Sequence, residues 1–144
     1  MSTKTYLLSF EKDTKKLAIT LAEFVSKGHI ILLEGNLGAG KSTFARYFIQ
    51  SLMGEATEVP SPTFTLLQTY EAEKFFISHF DLYRIKDPME ISELGLDEAF
   101  ASGVTLIEWP ERLGPYMPKN PIILRFEEKN DQRWVHVSGV NLVG

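Results

Sequence analysis

The chain has 144 residues, 44% of them hydrophobic and 24% charged, with a formal net charge of −4 at pH 7 and no cysteine. That length suits one domain, residues 1–144, with a real core and no room for a separate substrate domain. The acidic balance argues against a broad basic nucleic-acid face, so no direct DNA binding is expected, and the lack of cysteine excludes disulfides and thiolate metal centres. Met1–Thr5 lacks the apolar segment of a signal peptide, and no apolar run approaches membrane-spanning length. The expectation is a cytoplasmic protein without membrane association.

In chain order, Tyr6–Ser9 reads as a short strand. Ser9 is then the expected cap of a helix that carries Leu17, Leu21 and Phe24 on one face and ends near Lys27-Gly28. His29–Glu34 is a short apolar run of the buried-strand kind. It leads into Gly35-Asn36-Leu37-Gly38-Ala39-Gly40-Lys41-Ser42-Thr43, which fits the phosphate-loop pattern G-x-x-x-x-G-K-[ST]. Thr43–Met53 follows with Phe44, Phe48 and Leu52 one helical turn apart, and Gly54 closes it. Strand, glycine loop and helix together are the context in which this motif binds a nucleoside triphosphate. Backbone N–H groups of the loop, Asn36 through Thr43, would cradle the phosphates at a helix N-terminus, Lys41 would reach the β- and γ-phosphates, and the Ser42 hydroxyl would face Mg²⁺.

Beyond Gly54, Glu55–Pro62 is a polar connection broken by prolines, and Phe64–Tyr70 and Phe75–Phe80 read as a hairpin around Glu71–Lys74. Pro88 opens a helix through Glu90 and Leu94 that Gly95 ends, and Asp97–Ser102 forms another. Val104–Glu108 is an apolar strand, Pro110–Pro121 a proline-rich surface stretch, and Ile122–Phe126 with Trp134–Ser138 a second hairpin joined by Glu127–Arg133. The sum is an α/β fold: a P-loop NTPase-like three-layer sandwich with a mixed β-sheet and a C-terminal β-hairpin.

A phosphate loop works with a carboxylate that holds Mg²⁺, usually at the end of a neighbouring apolar strand. Two candidates end such strands: Asp81 after Phe75–Phe80, and Glu108 after Val104–Ile107. One would hold the metal while the other orients the attacking water, and spacing does not say which. Ser61, Thr63 and Thr65, set between Pro60 and Pro62 and just beyond, suit a loop that senses the γ-phosphate, or simply a stiff connection. His79 reads by chemistry as a core histidine, Trp109 as either a nucleotide cover or packing, and Arg84, Arg112, Arg125 and Arg133 as surface arginines.

Five blocks in fixed order carry a resemblance: Gly35–Thr43; Ser61-Pro62-Thr63-Phe64-Thr65 with Tyr70-Glu71; His79-Phe80-Asp81-Leu82-Tyr83-Arg84; Glu93-Leu94-Gly95 with Glu98; and Ile107-Glu108-Trp109-Pro110-Glu111-Arg112. Spanning roughly residues 30 to 115, they resemble the TsaE (YjeE) ATPases of bacterial tRNA threonylcarbamoyladenosine biosynthesis. Ser42 stands where that family more often has threonine, which keeps the hydroxyl. The resemblance implies a Mg²⁺-dependent ATPase, weak alone, that acts with the TsaD–TsaB pair and meets tRNA only through that complex. ATP turnover would reset the partners, which transfer the threonylcarbamoyl group to an adenosine beside the anticodon. It also implies that Asp81 and Glu108 both belong to the Mg²⁺–ATP site, that Thr43 lines it, that Trp109 lies beside it, and that Ser61–Thr65 is a switch element.

Two rivals fare poorly. A small-molecule kinase would carry a lid with paired arginines, which Leu113–Pro121 lacks, and a GTPase would carry an Asn-Lys-x-Asp block, which the chain lacks. A scaffold that holds ATP without turning it over is the alternative that a hydrolysis assay separates. Leu82–Ala101, which follows a site carboxylate and mixes charge with apolar residues, is the expected partner-contact region.

Overall fold

The computed structural model describes residues 3–36 and 38–140, so Leu37, expected in the phosphate cradle, lies outside the described residues. The elements run β1 (Lys4–Leu7), α1 (Glu11–Phe24), β2 (Ile30–Glu34), α2 (Lys41–Met53), β3 (Leu67–Glu71) and β4 (Phe76–Asp81). Then come α3 (Met89–Ser92), α4 (Leu96–Ser102), β5 (Gly103–Glu108), a 3₁₀ segment (Pro110–Tyr116), β6 (Ile122–Lys129) and β7 (Gln132–Ser138). The strands form one sheet in the order β1-β7-β6-β2-β5-β4-β3. β6, β2, β5 and β4 are mutually parallel, and antiparallel pairs close both sides, which makes the sheet mixed as expected.

Side-chain alternation along the buried strands divides the core into two layers. Ile31 and Leu33 of β2 pack with Leu17, Leu21, Phe44 and Phe48 of α1 and α2 on one face. Leu32 of β2 and Ile107 of β5 face the other way, toward Ile91, Leu96 and Leu113 of α3, α4 and the 3₁₀ segment. Helices on both faces of the sheet give the three-layer sandwich. β5 inserts between β2 and β4, so the C-terminal ends of three parallel strands lie side by side, and Asp81 and Glu108 are register partners.

Several local expectations shift. Ser9 does not cap α1: Phe10 occupies that position, and its backbone N–H donates to Asp13 Oδ2 at 2.9 Å. A carboxylate at the third helical position takes the role because it reaches back to the free N–H and favours the helix dipole. α1 ends at Phe24, short of Lys27-Gly28, and Val25 is already extended. Phe64–Leu66 form a turn instead of strand, with Leu66 at φ 68°, and pairing with β4 begins at Leu67. The helix expected from Pro88 to Leu94 stops at Ser92, and Gly95, at φ 80°, begins α4. The proline-rich stretch is not wholly surface, since Pro110 and Leu113 are buried. The C-terminal hairpin is longer than expected: β6 and β7 extend to Lys129 and Gln132 around Asn130-Asp131, both at positive φ, a two-residue turn matched to strand twist.

Gly35, where β2 turns into the loop, has φ 138°, and a Cβ there would stand 2.6 Å from the Phe126 carbonyl oxygen of β6. Gly35→Ala therefore combines backbone strain with overpacking. It is expected to destabilise the fold by about 3 kcal/mol, seen as a fall of roughly 10 °C in the melting temperature. A melting curve matching the parent protein would contradict that packing.

Candidate nucleotide site

The loop between β2 and α2 bends at Gly38 (φ 79°) and Gly40 (φ 112°), conformations that glycine adopts without strain. Ala39 N–H donates to Asn36 O at 3.1 Å, which closes a tight turn. Asn36, Gly38 and Ser42 are exposed, whereas Ala39 and Lys41 are buried. The loop thus opens at the N-terminus of a thirteen-residue helix, where free N–H groups and the dipole favour an anion.

Lys41 carries the sharpest electrostatic feature. It is 4% exposed, and its Nζ has no hydrogen-bond partner among the described residues. The ammonium instead sits 3.7 Å from the centroid of the Trp109 ring, a desolvated cation–π contact. Burial pushes its pKa below the ordinary lysine value, while the negative charges of Glu108, Glu111 and Asp81 act against that shift. Trp109 has left-handed backbone angles (φ 60°, ψ 52°), which turn its ring toward the loop and cost strain for a bulky residue. A buried ammonium without a partner among the described residues is costly, and an anion at the loop would offset that cost.

The two carboxylates come from adjacent strand ends and the same face. On β4, Ile77 packs with α1 and α2, so His79 and Asp81 share that side. On β5, Leu106 does the same, so Glu108 follows. Asp81 accepts hydrogen bonds from the Thr63 hydroxyl (3.1 Å to Oδ2) and the Tyr83 backbone N–H (3.0 Å to Oδ1). Thr63 is in turn 2.7 Å from the Ser61 hydroxyl, so the Ser61–Thr65 loop is tied to a strand-end carboxylate. Thr65 bonds elsewhere, to Gln68. Glu108 is paired with His79, whose Nε2 lies 2.7 Å from Oε2 with both side chains buried.

Of the described residues singled out from sequence, the structure brings together Lys41, Ser42, Asp81, Glu108, Trp109 and the Ser61 and Thr63 hydroxyls. Thr43 faces a hollow of about 370 Å³ that also involves Gly40, Phe10 and Arg133. On the other side of the loop, Asn36, Ala39, Trp109, Arg125 and Glu111 line a second hollow, of about 640 Å³. Arg125 and Arg133, which read from sequence as surface arginines, and Phe10, which no motif marks, border these hollows. No local pattern could have placed them, because β6, β7 and the start of α1 reach the loop only through the sheet order. Arg84 lies over the exposed ring of Phe64, 5.1 Å from its centroid, and Arg112 is exposed.

Among the described residues no cluster of three or more His, Cys, Asp or Glu side chains could hold a metal ion alone. A hydroxyl and one or two carboxylates beside a phosphate cradle is nevertheless the donor set that Mg²⁺ uses when the substrate supplies the remaining oxygens.

Residues 8–135 match the family model described as threonylcarbamoyl adenosine biosynthesis protein TsaE. The chain belongs to the TsaE family. It is 52% identical over 106 residues to the tRNA threonylcarbamoyladenosine biosynthesis protein TsaE of Rickettsia conorii, a match covering 74% of this chain and 61% of that protein. Thus the match spans only about three fifths of that TsaE protein's length. The Bacillus subtilis protein of the same name is 37% identical over 121 residues, covering 83% of this chain and 75% of the relative. The fold agrees with the crystal structure of B. subtilis YdiB at a TM-score of 0.79 and 28% identity, over 97% of this chain and 87% of that one. No helix among the described residues of this TsaE-family chain is long and apolar enough to cross a membrane.

Proposed function

We propose that this chain is the ATP-binding and Mg²⁺-dependent ATP-hydrolysing component of tRNA threonylcarbamoyladenosine biosynthesis, acting with TsaD and TsaB. The family and the names of its relatives support the pathway. The observation that carries the nucleotide reading is Lys41: a buried ammonium beside a glycine loop, without a hydrogen-bond partner among the described residues, with two carboxylates at the neighbouring strand ends. The loop and Lys41 would hold the phosphates, and Ser42, Asp81 and Glu108 would supply oxygens to Mg²⁺. The hollow that Thr43 shares with Phe10 and Arg133 would receive the nucleoside. Bound Mg²⁺ would neutralise charge developing on the transferred phosphoryl oxygens.

Turnover by the lone chain is weak in this reading. Efficient phosphoryl transfer usually needs an arginine aimed at the transition state, worth about 10³–10⁵ in rate. Arg84 is engaged over Phe64, Arg46 is paired with Glu11, Arg112 is exposed, and Arg125 and Arg133 border the hollows on either side of the loop. In this reading a partner supplies the missing group or frees the Ser61–Thr65 loop from Asp81. The testing experiment is ATP turnover by the purified chain, alone and with TsaD, TsaB and tRNA. Low turnover alone and a rise with the partners are expected. Fast turnover without them would point to a stand-alone enzyme, and none under any condition to a scaffold that only holds ATP.

A further inference from the structure

His79 has no part in the proposal above, yet its surroundings are unusual for a packing residue. It lies on β4 between Ile77 and Asp81, opposite Leu106, where an aliphatic side chain would fill the space at less cost. Instead an imidazole is 2% exposed, with Nε2 2.7 Å from Glu108 Oε2 and Nδ1 without a partner among the described residues. An ionised carboxylate only accepts hydrogen bonds, so Nε2 carries a proton. His79 also lines a hollow of about 230 Å³ with Ser42, Thr43, Arg46 and Ser61, which connects the loop helix to the Ser61–Thr65 segment.

Glu108 also faces a competitor. It is the carboxylate that acts most strongly on the Lys41 ammonium, and both groups are buried. An opposite pair in so dry a site tends to collapse into a direct ion pair. That has not happened: Lys41 rests on the Trp109 ring, and no Lys41 contact appears among the ion pairs of the described residues. Glu108 Oε2 is held by His79, 2.7 Å from Nε2.

We propose that His79 is the positioning residue of Glu108: its Nε2–H holds the carboxylate on the β4 side, away from Lys41, so that both charges stay available to Mg²⁺ and phosphate. The proposal rests on the Mg²⁺–ATP reading of the site. A partner that fixes a metal-binding carboxylate typically changes metal affinity or activity about 10–100-fold when removed. His79→Leu removes the donor, His79→Gln keeps an N–H of similar reach, and His79→Asn keeps an amide too short to reach Oε2.

The test uses these variants of the full chain with Trp134→Phe, so that Trp109 is the sole tryptophan. In the nucleotide-free protein, His79→Leu and His79→Asn are expected to alter Trp109 emission as Lys41 moves from the ring to Glu108, and His79→Gln is not. Adding Glu108→Gln to either altered variant should restore the emission of Glu108→Gln alone, which a general packing defect would not do. With ATP, the Mg²⁺ concentration for half-maximal turnover should rise about 10–100-fold in the Leu and Asn variants and less than about 3-fold in Gln. If the Leu variant does not fold, the Gln and Asn pair carries the same comparison. Equal behaviour of Gln and Asn, or Leu behaving as the parent, overturns the proposal. A parent protein whose ATP turnover or binding ignores Mg²⁺ overturns the site reading itself.

Discussion

Lys41→Ala is expected to abolish detectable ATP turnover and to weaken ATP binding at least about 100-fold, while leaving the protein as stable as before. In the proposed site the loss follows from removing the charged donor that would reach the β- and γ-phosphates, a class of contact whose deletion commonly costs about 10²–10³ in rate. The unchanged stability follows from burial. Desolvation lowers the Lys41 pKa from its ordinary value of 10.5, so the folded chain holds this proton less readily than the unfolded chain does. The unfolded state binds more protons between the lowered value and 10.5, so stability rises with pH through that window, and below it the cost of the buried charge is present in full. Deleting the ammonium removes that cost at neutral pH and also the cation–π contact with Trp109, worth up to about 2 kcal/mol. The two oppose each other, and the melting temperature should stay within about 4 °C of the parent value. A second readout is optical: with Trp134 replaced by Phe, ATP should change Trp109 emission by drawing Lys41 off the ring, and Lys41→Ala should abolish that response. An alanine variant that binds ATP within about threefold of the parent would remove Lys41 from the site.

The strand-end carboxylates should fail differently from Lys41 and from each other. Asp81→Asn and Glu108→Gln are each expected to reduce Mg²⁺-dependent turnover about 10²–10³-fold while ATP binding in EDTA stays near the parent value, because each keeps its shape and loses its charge. Asp81 also accepts from Thr63 and from the Tyr83 N–H. Truncation to alanine therefore frees the Ser61–Thr65 loop and leaves an N–H unpaired. Faster protease cleavage within that loop in Asp81→Ala, but not in Glu108→Ala, is the expected distinction. Glu108→Ala instead strands the buried Nε2–H of His79, at a cost of about 1–3 kcal/mol. The measurement is a pair of Mg²⁺ titrations of turnover beside limited proteolysis. Full turnover in both isosteric variants would take both carboxylates out of the catalytic apparatus.

Much of this site was legible before any fold was known, because its centre is contiguous in the chain. The glycines, Lys41 and Ser42 follow one another between an apolar strand and an amphipathic helix, and each step is local backbone chemistry. Asp81 and Glu108 could be picked out as carboxylates ending apolar strands, since parallel strands present their C-terminal ends together. Element types were legible for the same reason, while their ends moved where a cap or turn competed. Asp13 displaced Ser9 as the partner of the helix start, and the Leu66 turn shortened the strand expected from Phe64.

Periodicity and turn residues in the sequence were therefore enough to determine an α/β fold with a glycine-rich loop between strand and helix, and its motif blocks pointed to the family. The tertiary structure alone decided that β5 lies between β2 and β4, that His79 meets Glu108 across 29 positions of sequence, that the Trp109 ring carries Lys41, and that Phe10 and Arg133 border the loop. Those contacts depend on strand order and register, where a slip of one residue would turn every side chain to the opposite face, and no local pattern records which strands become neighbours.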